Sequence, residues 1–398
     1  MKPSTLYLSY TGLLEPLGRS QVLSYLSRLS KNYSITLVTF EKKHDFTNRD
    51  EVEKLKLECD KYGINWQPRL YHHRPRLVAK VLDLMLLVWD VWRLSSKNDV
   101  KLIHCRSYLT SIAAWLVGKV TKVPFVFDMR ALLPEELIDA GRLKRNSFVY
   151  RGINYFERKL LNDADSVVSL TSAAIPYLLN KYPFLKQDKF TVIPTCVDLR
   201  RFENYSNIEN NKTIIGTMGS VVSGWYHLDW LINTLKLSED IFANPTFKII
   251  TKDSPKVINE LSESLSFDSN KLSIYSCSSE DIQNNIKGML FGVLYFTSGV
   301  SKIGSAPTRM AEFLACGIPI LGNSGVGDMD TIIKKYNIGV VVDGHSDDSF
   351  IKALHDMKAL LTDPLLESRC KQVANEMFSA DKGAAKYHEV YKFLLRQD

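Results

Sequence analysis

The strongest constraint on the fold is an alternation of short, β-rich apolar runs with longer helical patterns, which recurs in both halves of the 398-residue chain. Such alternation is typical of parallel sheets with helices packed on their faces. Two successive series in a chain of this length predict two doubly wound domains. Open sheets of this kind bind ligands beyond the carboxyl ends of their strands. We therefore expect an α/β protein with two Rossmann-like domains that face each other across a cleft.

The apolar runs set the expected domain limits. The predicted strands of the first half are 5–10, 35–40, 101–105, 124–128, 166–170 and 190–194. Those of the second half are 213–218, 246–251, 271–276, 289–296, 318–322 and 338–342. The apolar pattern lapses over 195–211, which predicts one domain at 1–197 and a second at 205–380.

Composition argues for a globular protein without a membrane span. Hydrophobic residues make up 45% and charged residues 24% of the chain, the usual mixture for soluble domains. The most apolar long stretch, 77–92, contains Lys80, Asp83 and Asp90, which predicts an amphipathic or core helix. The six cysteines are scattered without a CxxC pair, which argues against a zinc site and a disulfide framework. With no signal-peptide pattern at the start, we expect a cytoplasmic protein.

The basic charge favours an anionic partner. The net charge is +7, and two basic, aromatic-rich segments, 69–76 and 142–151, suit contact with an anionic membrane surface. Each basic residue near lipid contributes about 1 kcal/mol, so a peripheral position on the inner face of the cell membrane is one interpretation. An ordinary basic protein surface is the other. No RNP, helix-turn-helix or zinc-finger pattern is found, so nucleic-acid binding is not predicted.

The segment from 302 to 328 is the most informative about function. A serine that suits a helix N-cap, Ser305, precedes Ala306, Pro307 and Thr308, and the helix is predicted to continue to about residue 315. The N-terminus of a helix presents backbone N–H groups and the positive end of the helix dipole. These four residues are therefore predicted to bind a diphosphate.

Three charged residues extend this prediction. Lys302 and Arg309 add formal positive charge beside the helix start, where they would stabilise a departing diphosphate. Glu312 is predicted to lie roughly 8–10 Å from the helix start, at 1.5 Å per residue. That is about the distance from the pyrophosphate of a nucleotide to its ribose. A carboxylate there can accept hydrogen bonds from both ribose hydroxyls. An ordinary capped helix with a solvated glutamate is the alternative.

Four sequence blocks resemble one enzyme family. The run SAPTRMAEFLACGIP at 305–319 resembles the nucleotide-sugar-binding helix of glycosyltransferase family 4, and the likeness continues through NSGVGD at 323–328. YTGLLEPLGRSQV at 10–22 resembles the loop after the family's first strand. FDMRALLPEE at 127–136 is similar to a segment of surface-polysaccharide members, and GTMGSVVSGWY at 216–226 to the loop that opens the donor domain. The resemblance implies the GT-B fold and a retaining reaction.

The resemblance also implies roles for single residues. Glu312 would hold the ribose of the donor. Gly12 and Gly18 in the first loop, with Gly219 and Ser220 in the donor-domain loop, would bind the donor, since glycines allow a phosphate or sugar to approach the backbone closely. A plain strand-to-helix turn also explains the first two glycines. A Gly-x-Gly-x-x-Gly fingerprint is missing, which disfavours a nicotinamide enzyme.

Asp128 and Arg130 follow a predicted strand and form a second candidate group. The family often has a histidine at the position of Asp128, where it contacts the donor sugar. Arg130 would bind the donor phosphate or an acidic acceptor, and both residues are predicted to be catalytic together with Lys302 and Arg309. The alternative is a buried ion pair with the glutamates at 135 and 136.

Departures from the family pattern leave part of the site open. Many members carry a second glutamate where this chain has Gly304, and the usual arginine and lysine of the 216–226 loop are missing. His104 and Arg106 follow another strand and could line the cleft, although a lone histidine there is more often structural. Asp-Met-Asp at 328–330 resembles a metal-binding motif, but three-residue matches arise by chance. We expect no metal.

The sequence thus predicts a retaining, metal-independent glycosyltransferase of the hexosyltransferase type. It would move a sugar from a nucleoside-diphosphate sugar to a glycan or lipid-linked acceptor in cell-surface polysaccharide synthesis, without a further cofactor. The resemblance implies a front-face mechanism without a covalent enzyme intermediate. It also implies that the first domain binds the acceptor and that a helix at 384–395 crosses back to it. A sugar-nucleotide epimerase and a non-catalytic nucleotide-sugar-binding module are the alternatives.

Overall fold

The computed structural model describes residues 2–97, 99–202, 213–278 and 280–396. The chain divides into two compact units, one of Met1–Cys196 with Ala380–Asp398 and the other of Val197–Ser379. The division lies within the segment 195–211 where the apolar pattern lapses, and residues 203–211 of that segment lie outside the described residues. Each unit is built on a parallel sheet with alternating helices.

The sheet of the first unit has seven strands, in the order β3-β2-β1-β4-β5-β6-β7, among the residues described. All neighbouring strands are parallel. The strands are β1 (Ser4–Ser9), β2 (Ser34–Glu41), β3 (Ile64–Leu70), β4 (Leu102–Arg106), β5 (Phe125–Asp128), β6 (Ser166–Ser169) and β7 (Phe190–Val192). The strand order reverses between β1 and β4, so ligand-binding loops are expected at the carboxyl ends of these two strands.

The sheet of the second unit has six strands, in the order β10-β9-β8-β11-β12-β13, in the part of the chain that is described. These strands are also parallel. They are β8 (Ile214–Met218), β9 (Thr246–Ile250), β10 (Leu272–Tyr275), β11 (Met289–Leu294), β12 (Ile320–Asn323) and β13 (Gly339–Val342). Here the order reverses between β8 and β11, which places the corresponding loops after these strands.

Helices connect the strands in both units. Those that precede the second unit are α1 (Pro16–Gly18), α2 (Ser24–Leu29), α3 (Lys43–Phe46), α4 (Arg49–Lys61), α5 (Arg76–Lys97), α6 (Tyr108–Thr121), α7 (Leu133–Asp139), α8 (Phe148–Asp163) and α9 (Ala174–Lys181). A π-helical turn, Arg19–Leu23, joins α1 to α2. The second unit contains α10 (Leu228–Ser238), α11 (Pro255–Ser264), α12 (Ile282–Ile286), α13 (Val300–Ile303), α14 (Thr308–Ala315), α15 (Met329–Tyr336), α16 (Asp347–Leu360) and α17 (Leu366–Met377).

One further helix, α18 (Ala380–Leu395), belongs to the first unit. Its tyrosines pack edge-on against tyrosines near the start of the chain. The Tyr387 ring lies 5.2 Å from that of Tyr25, and the Tyr391 ring lies 5.0 Å from that of Tyr33. The chain therefore leaves the first unit at residue 197 and returns to it at residue 380.

Among the strands that the structure describes, β3 is the one that the sequence pattern did not predict. It has the sequence INWQPRL, pairs with β2 alone and lies at the edge of the first sheet. Proline lacks the N–H that a sheet ladder needs, so Pro68 is tolerated at an edge but argues against a strand when read from sequence. The exposure of the strand is mixed, which removes the apolar run that marked the others.

Helix α5 has an unusual distribution of side chains. Its two carboxylates face inward, with Asp83 fully buried and Asp90 only 2% exposed. Among the described side chains of the same helix, seven large apolar ones are exposed: Val78, Val81, Leu82, Met85, Leu86, Trp89 and Trp92. Of the two predicted alternatives, an amphipathic helix or a core helix, the structure shows the amphipathic one. Its apolar face is exposed to solvent. Among the described residues, no helix combines the length and apolarity that a membrane crossing requires.

Candidate functional site

The predicted diphosphate-binding helix forms, but it begins later than expected. Helix α14 starts at Thr308 with Pro307 in the N-cap position, whereas the sequence analysis placed the N-cap at Ser305. That placement is wrong because the residue before a proline is disfavoured in helical conformation, so the helix cannot start before Pro307. The Ser305 amide instead donates to the carbonyl of Lys302, at 3.0 Å. The end of α14 at Ala315 follows the prediction, and Gly317 just after it is left-handed (φ +72°).

Glu312 lies four residues after the first residue of α14, roughly 6 Å along the helix axis. Its side chain is partly buried. The neighbouring residues of α14 on either side in the sequence, Ala311 and Phe313, are fully buried. Burial raises the pKa of Glu312 to about 7, although the positive charges of Arg201 and Arg309 act against this rise. Among the residues described, the carboxylate has no hydrogen-bond or ion-pair partner. A partly buried carboxylate without a protein partner is available to a ligand.

Arg309 is held in a fixed position beside this helix start. Its guanidinium lies over the rings of Tyr226 and Phe296, at 5.4 and 5.5 Å from their centroids, and its Nη2 donates to the carbonyl of Ser220. Gly219 has φ +86°, and a Cβ at this position would lie 2.5 Å from the Arg309 Nε. The structure therefore brings together three of the predicted site residues, and it explains why a glycine is required at 219.

Lys302 is the second cation near α14. Its side chain belongs to the short helix α13, is only 8% exposed, and places Nζ 3.5 Å from the centroid of the Trp225 ring. The amide of Gly327 donates to the Lys302 carbonyl at 2.8 Å. This bond connects the loop after β12 to the segment that precedes α14. Cation–π contact holds the ammonium group close to the loop that opens the second unit.

Asp253 organises the loop after β8, and the sequence analysis missed it. Its carboxylate accepts hydrogen bonds from Ser220 Oγ at 2.9 Å, from the Val221 amide at 2.6 Å and from the Val222 amide at 2.8 Å. Burial acts to raise the pKa of Asp253, but these hydrogen bonds outweigh it and lower the pKa. The predicted donor-binding hydroxyl of Ser220 is thus engaged by the protein. The available signal was an aspartate two residues after the predicted strand 246–251.

Gly12 and Gly18 in the first unit are required by protein packing. The buried carboxylate of Glu41 accepts hydrogen bonds from the backbone amides of Leu13 and Leu14, at 2.8 and 3.1 Å. A Cβ on Gly12 would lie 2.2 Å from a Glu41 oxygen, and a Cβ on Gly18 would lie 1.8 Å from the Gly12 carbonyl oxygen. Both glycines are explained without a ligand. Their contact with a donor stays a prediction.

Asp128 is a buried member of a polar network at the end of β5. Its Oδ2 accepts a hydrogen bond from Tyr387 at 2.9 Å and lies 3.4 Å from His104 Nε2, while Arg130 Nη1 lies 3.7 Å from Oδ1. The alternative prediction is a buried ion pair with the glutamate at 135 or 136. For position 135 it is wrong, because Glu135 pairs instead with Arg145, at 2.8 Å. Asp128 is fully buried, so direct contact with a sugar stays a prediction.

The charges in this network are well defined. Burial acts to raise the pKa of Asp128, but the Arg130 charge, the His104 hydrogen bond and the Arg106 charge together lower it to about 2. Burial lowers the pKa of His104, which keeps the imidazole neutral at pH 7. The network therefore contains one carboxylate and two guanidinium groups.

The predicted site residues fall into two groups. Within the second unit, the loop at 219–220, Lys302 and the residues 305–312 surround the start of α14. Within the first unit, Gly12 and Gly18 follow β1, Gly18 at the end of α1, whereas Asp128 is the last residue of β5 and Arg130 follows it. In the part of the chain that the structure describes, no cluster of three or more His, Cys, Asp or Glu side chains is arranged to hold a metal ion.

Comparison with known proteins agrees with this architecture. Residues 20–201 match the model of glycosyltransferase family 4. This match covers less than half of the chain and lies almost wholly in the first unit. No curated protein sequence matches at a significant level.

Similarity to solved structures shows that the fold of the chain is GT-B. A glycosyltransferase from Rickettsia africae is 15% identical, with a TM-score of 0.75 over 100% of both chains. HepE from Anabaena, solved with UDP and glucose, is 12% identical, with a TM-score of 0.70 over 98% of this chain and 100% of its own. The lipopolysaccharide outer core galactosyltransferase WaaB is 11% identical, with a TM-score of 0.66 over 98% and 99% of the two chains.

Proposed function

We propose that the chain is a retaining glycosyltransferase that uses a nucleoside-diphosphate sugar as donor. The observation that carries the proposal is the carboxylate of Glu312. It is partly buried, has no partner among the described residues, and lies roughly 6 Å beyond a helix start that two cations flank. A carboxylate at that reach can accept hydrogen bonds from both ribose hydroxyls, while the helix start receives the diphosphate.

The basic groups near α14 fit the departure of a diphosphate. The positive end of the α14 dipole lies in the same unit as Arg309 and Lys302. Contacts with aromatic rings fix these two side chains. Such preorganised positive charge stabilises the negative charge that develops on the leaving group. The neighbour HepE was solved with UDP, which makes uridine diphosphate the first nucleotide to test. We assign no metal to the reaction, since these groups supply the electrostatic stabilisation.

The acceptor is proposed to be a glycan or a lipid-linked saccharide of the cell surface. The likeness to a lipopolysaccharide galactosyltransferase and the resemblance of residues 127–136 to surface-polysaccharide members support this class. Retention of the anomeric configuration follows the family resemblance and takes the form of a front-face reaction without a covalent enzyme intermediate. The enzyme is proposed to act in the cytoplasm, at the inner face of the membrane.

Contact with the membrane is supported by the exposed apolar face of α5. The face extends from Val78 to Trp92, and the rings of Trp89 and Trp92 lie 5.1 Å apart. Both acidic residues of the helix are buried, so among the described side chains of α5 the exposed charges are the cations Lys80 and Lys97, with Arg93 partly exposed. An apolar face with tryptophans and basic flanks is typical of helices that lie in the interface of an anionic bilayer.

The basic segment at 142–151 also suits this contact. Arg142 and Lys144 are exposed beside Phe148, which is 90% exposed, and Val149. The segment at 69–76 is less suitable than expected, because the Arg69 guanidinium donates two hydrogen bonds of 2.6 Å to the buried carboxylate of Asp90. The side chain of residue 76 lies outside the described residues.

Substitution separates the apolar from the electrostatic contribution to membrane binding. We expect Arg142→Ser with Lys144→Ser to weaken binding to anionic phosphatidylglycerol vesicles about 30-fold at low salt, since each basic residue contributes about 1 kcal/mol. This loss should shrink as salt rises, because salt screens exposed charges. Trp89→Ser with Trp92→Ser should weaken binding at every salt concentration. Cosedimentation with vesicles measures both effects, and a wild-type protein that ignores the vesicles would contradict the proposal.

The transferase activity itself is tested with labelled nucleotide sugars. We expect transfer to an added glycan or lipid-linked acceptor, or slow hydrolysis of the donor when no acceptor is present. Interconversion of two nucleotide sugars would identify an epimerase, and binding without turnover would identify a binding module. A thermal-shift screen with UDP, GDP and ADP selects the donor base, since a nucleotide at 100 times its Kd adds about 2.7 kcal/mol of stability.

A further inference from the structure

Two buried arginines of the first unit share a single hydrogen-bond acceptor. Arg106 at the end of β4 and Arg130 after β5 both donate from Nη2 to the Oε1 atom of Gln21, at 2.6 and 3.1 Å. Arg106 is 6% exposed, and the Arg130 side chain is 10% exposed. Gln21 is itself buried and belongs to the π-helical turn between α1 and α2. Insertions of this kind in a helix often occur at functional sites.

The charge of this arginine pair is only half balanced. Among the residues that the structure describes, Asp128 is the one carboxylate that faces it, and it pairs with Arg130. Arg106 forms no ion pair with any residue that the structure describes. His104 is neutral, and burial raises the pKa of Tyr7 to about 12, so neither residue supplies negative charge at pH 7. One buried positive charge is left without a counter-charge, an arrangement that is costly unless an anion joins it.

Unpaired polar atoms lie at the same place. Within the described residues, Arg106 Nη1, Arg130 Nη1 and Asp128 Oδ1 are buried and form no hydrogen bond, although the last two atoms face each other at 3.7 Å in the ion pair described above. Buried polar atoms in folded proteins are nearly always paired, and each exception calls for a cause. Two of the three atoms are donors on neighbouring guanidinium groups. Arg130 also adopts a left-handed backbone conformation, φ +60°, which is uncommon for a residue other than glycine and often occurs at functional sites.

We propose that Arg106 and Arg130, joined through Gln21, form an oxyanion site for a phosphate or diphosphate group. Guanidinium groups present paired N–H donors that match the oxygens of such a group. The site lies at the carboxyl ends of β4 and β5, where doubly wound sheets bind their ligands. The assignment of the bound group to the acceptor rests on the proposed transferase function. The donor diphosphate is the other source of the same chemistry.

Binding of inorganic pyrophosphate tests the site without catalysis. Calorimetry is carried out on the full-length protein in the presence of UDP, or of whichever nucleoside diphosphate binds, at a saturating concentration. We expect the wild type to bind pyrophosphate under these conditions and Arg106→Met to bind it at least tenfold more weakly, because charge-assisted hydrogen bonds are lost. The melting temperature of Arg106→Met should stay the same or rise, since the change removes an unpaired buried charge.

A matched control is Arg28. Its side chain is also 10% exposed, but it pairs with Asp381 through two hydrogen bonds of 2.6 and 3.1 Å. Arg28→Met should lower the melting temperature and leave pyrophosphate binding unchanged. If Arg106 were only structural, Arg106→Met would likewise lower the melting temperature and leave pyrophosphate binding unchanged. That result would overturn the proposal.

The source of the oxyanion is decided in the same experiment. Pyrophosphate that binds alongside the nucleotide supports an acceptor site in the first unit. Complete displacement of pyrophosphate by the nucleotide would assign the bound group to the donor and overturn the acceptor role, and a wild type that binds no pyrophosphate would overturn the site itself. Because no step requires sugar transfer, the result stands whether or not the transferase assay succeeds.

Discussion

Replacing Glu312 with glutamine should weaken the binding of nucleoside diphosphates roughly tenfold to a hundredfold. The amide is a poorer acceptor than the carboxylate, and a hydrogen bond to a charged group contributes about 1.5–3 kcal/mol. The side chain lies outside the core and has no partner among the described residues, so the variant should fold. Calorimetric titration of wild type and variant with the same nucleotide measures the loss.

The ligand without a 2′-hydroxyl is the control for this prediction. A 2′-deoxyribose nucleotide should bind the wild type more weakly than the ribose nucleotide does. Its affinity should be nearly unchanged by Glu312→Gln. Arg309→Ala should instead weaken nucleoside diphosphates more than monophosphates, because it acts on the phosphate charge. If Glu312→Gln weakened the ribose and deoxyribose ligands equally, Glu312 would be a structural residue of α14.

The same variant should change the pH dependence of stability. The pKa of Glu312 rises from 4.5 in the unfolded chain to about 7 in the fold, so the folded state holds the proton more tightly. The favourable contribution is complete below pH 4.5 and is lost as the pH rises through about 7. At pH 8, Glu312→Gln should therefore be more stable than the wild type by about 1–2 kcal/mol, allowing for solvent screening of a partly exposed group. At pH 5 the difference should be small, and thermal unfolding at the two values measures it.

Replacing Asp128 with asparagine should destabilise the protein by about 3–5 kcal/mol, the usual cost of removing one partner of a buried charge pair. Asp128 is fully buried and, in the described part of the chain, is the one carboxylate facing Arg106 and Arg130. The variant leaves two buried guanidinium groups without a counter-charge. Denaturant unfolding of the wild type and the variant measures the loss, and Asp139→Asn, an exposed position in the same unit, should change stability by no more than about 0.5 kcal/mol.

Two further measurements separate charge from shape in this result. The pKa of Asp128 is lowered from 3.8 to about 2, so its contribution is present above pH 3.8 and is lost as the pH falls through about 2. The difference between wild type and Asp128→Asn should shrink over that range. Adding Arg106→Met to Asp128→Asn should restore part of the stability, since one unpaired cation is removed. An unchanged double variant would show that the loss came from packing.

The alternation of strand and helix patterns was sufficient to predict both parallel sheets, because strands buried on two faces form apolar runs that are readable in a sequence. The exception, β3, lies at an edge and contains Pro68, so it lacks that signature. The start of α14 was misplaced because Ser305 is a good N-cap by type, whereas the restriction imposed by Pro307 decides the conformation of the residue before it.

The contacts of the candidate site were harder to predict, since they join residues far apart in the chain. Asp128 meets Tyr387 across 259 positions, and a short motif around Asp128 suggested nearby glutamates as its partners. Asp253 meets the loop at 220–222 only because β8 and β9 are adjacent in the sheet. By contrast, the position of Arg309 beside Glu312 follows from helical spacing alone, so the sequence was enough to predict it.

The return of α18 to the first unit has a consequence for how the protein is made. A ribosome releases residues 197–379 before it releases Tyr387 and Tyr391, so the second unit can fold while the first still lacks its last helix. During that interval the Asp128 carboxylate has no Tyr387 hydroxyl to bind, and the buried face of Tyr25 is uncovered. Completion of the first unit therefore waits for the synthesis of α18, and a premature stop codon after residue 379 would leave an intact second unit attached to an unfinished first one.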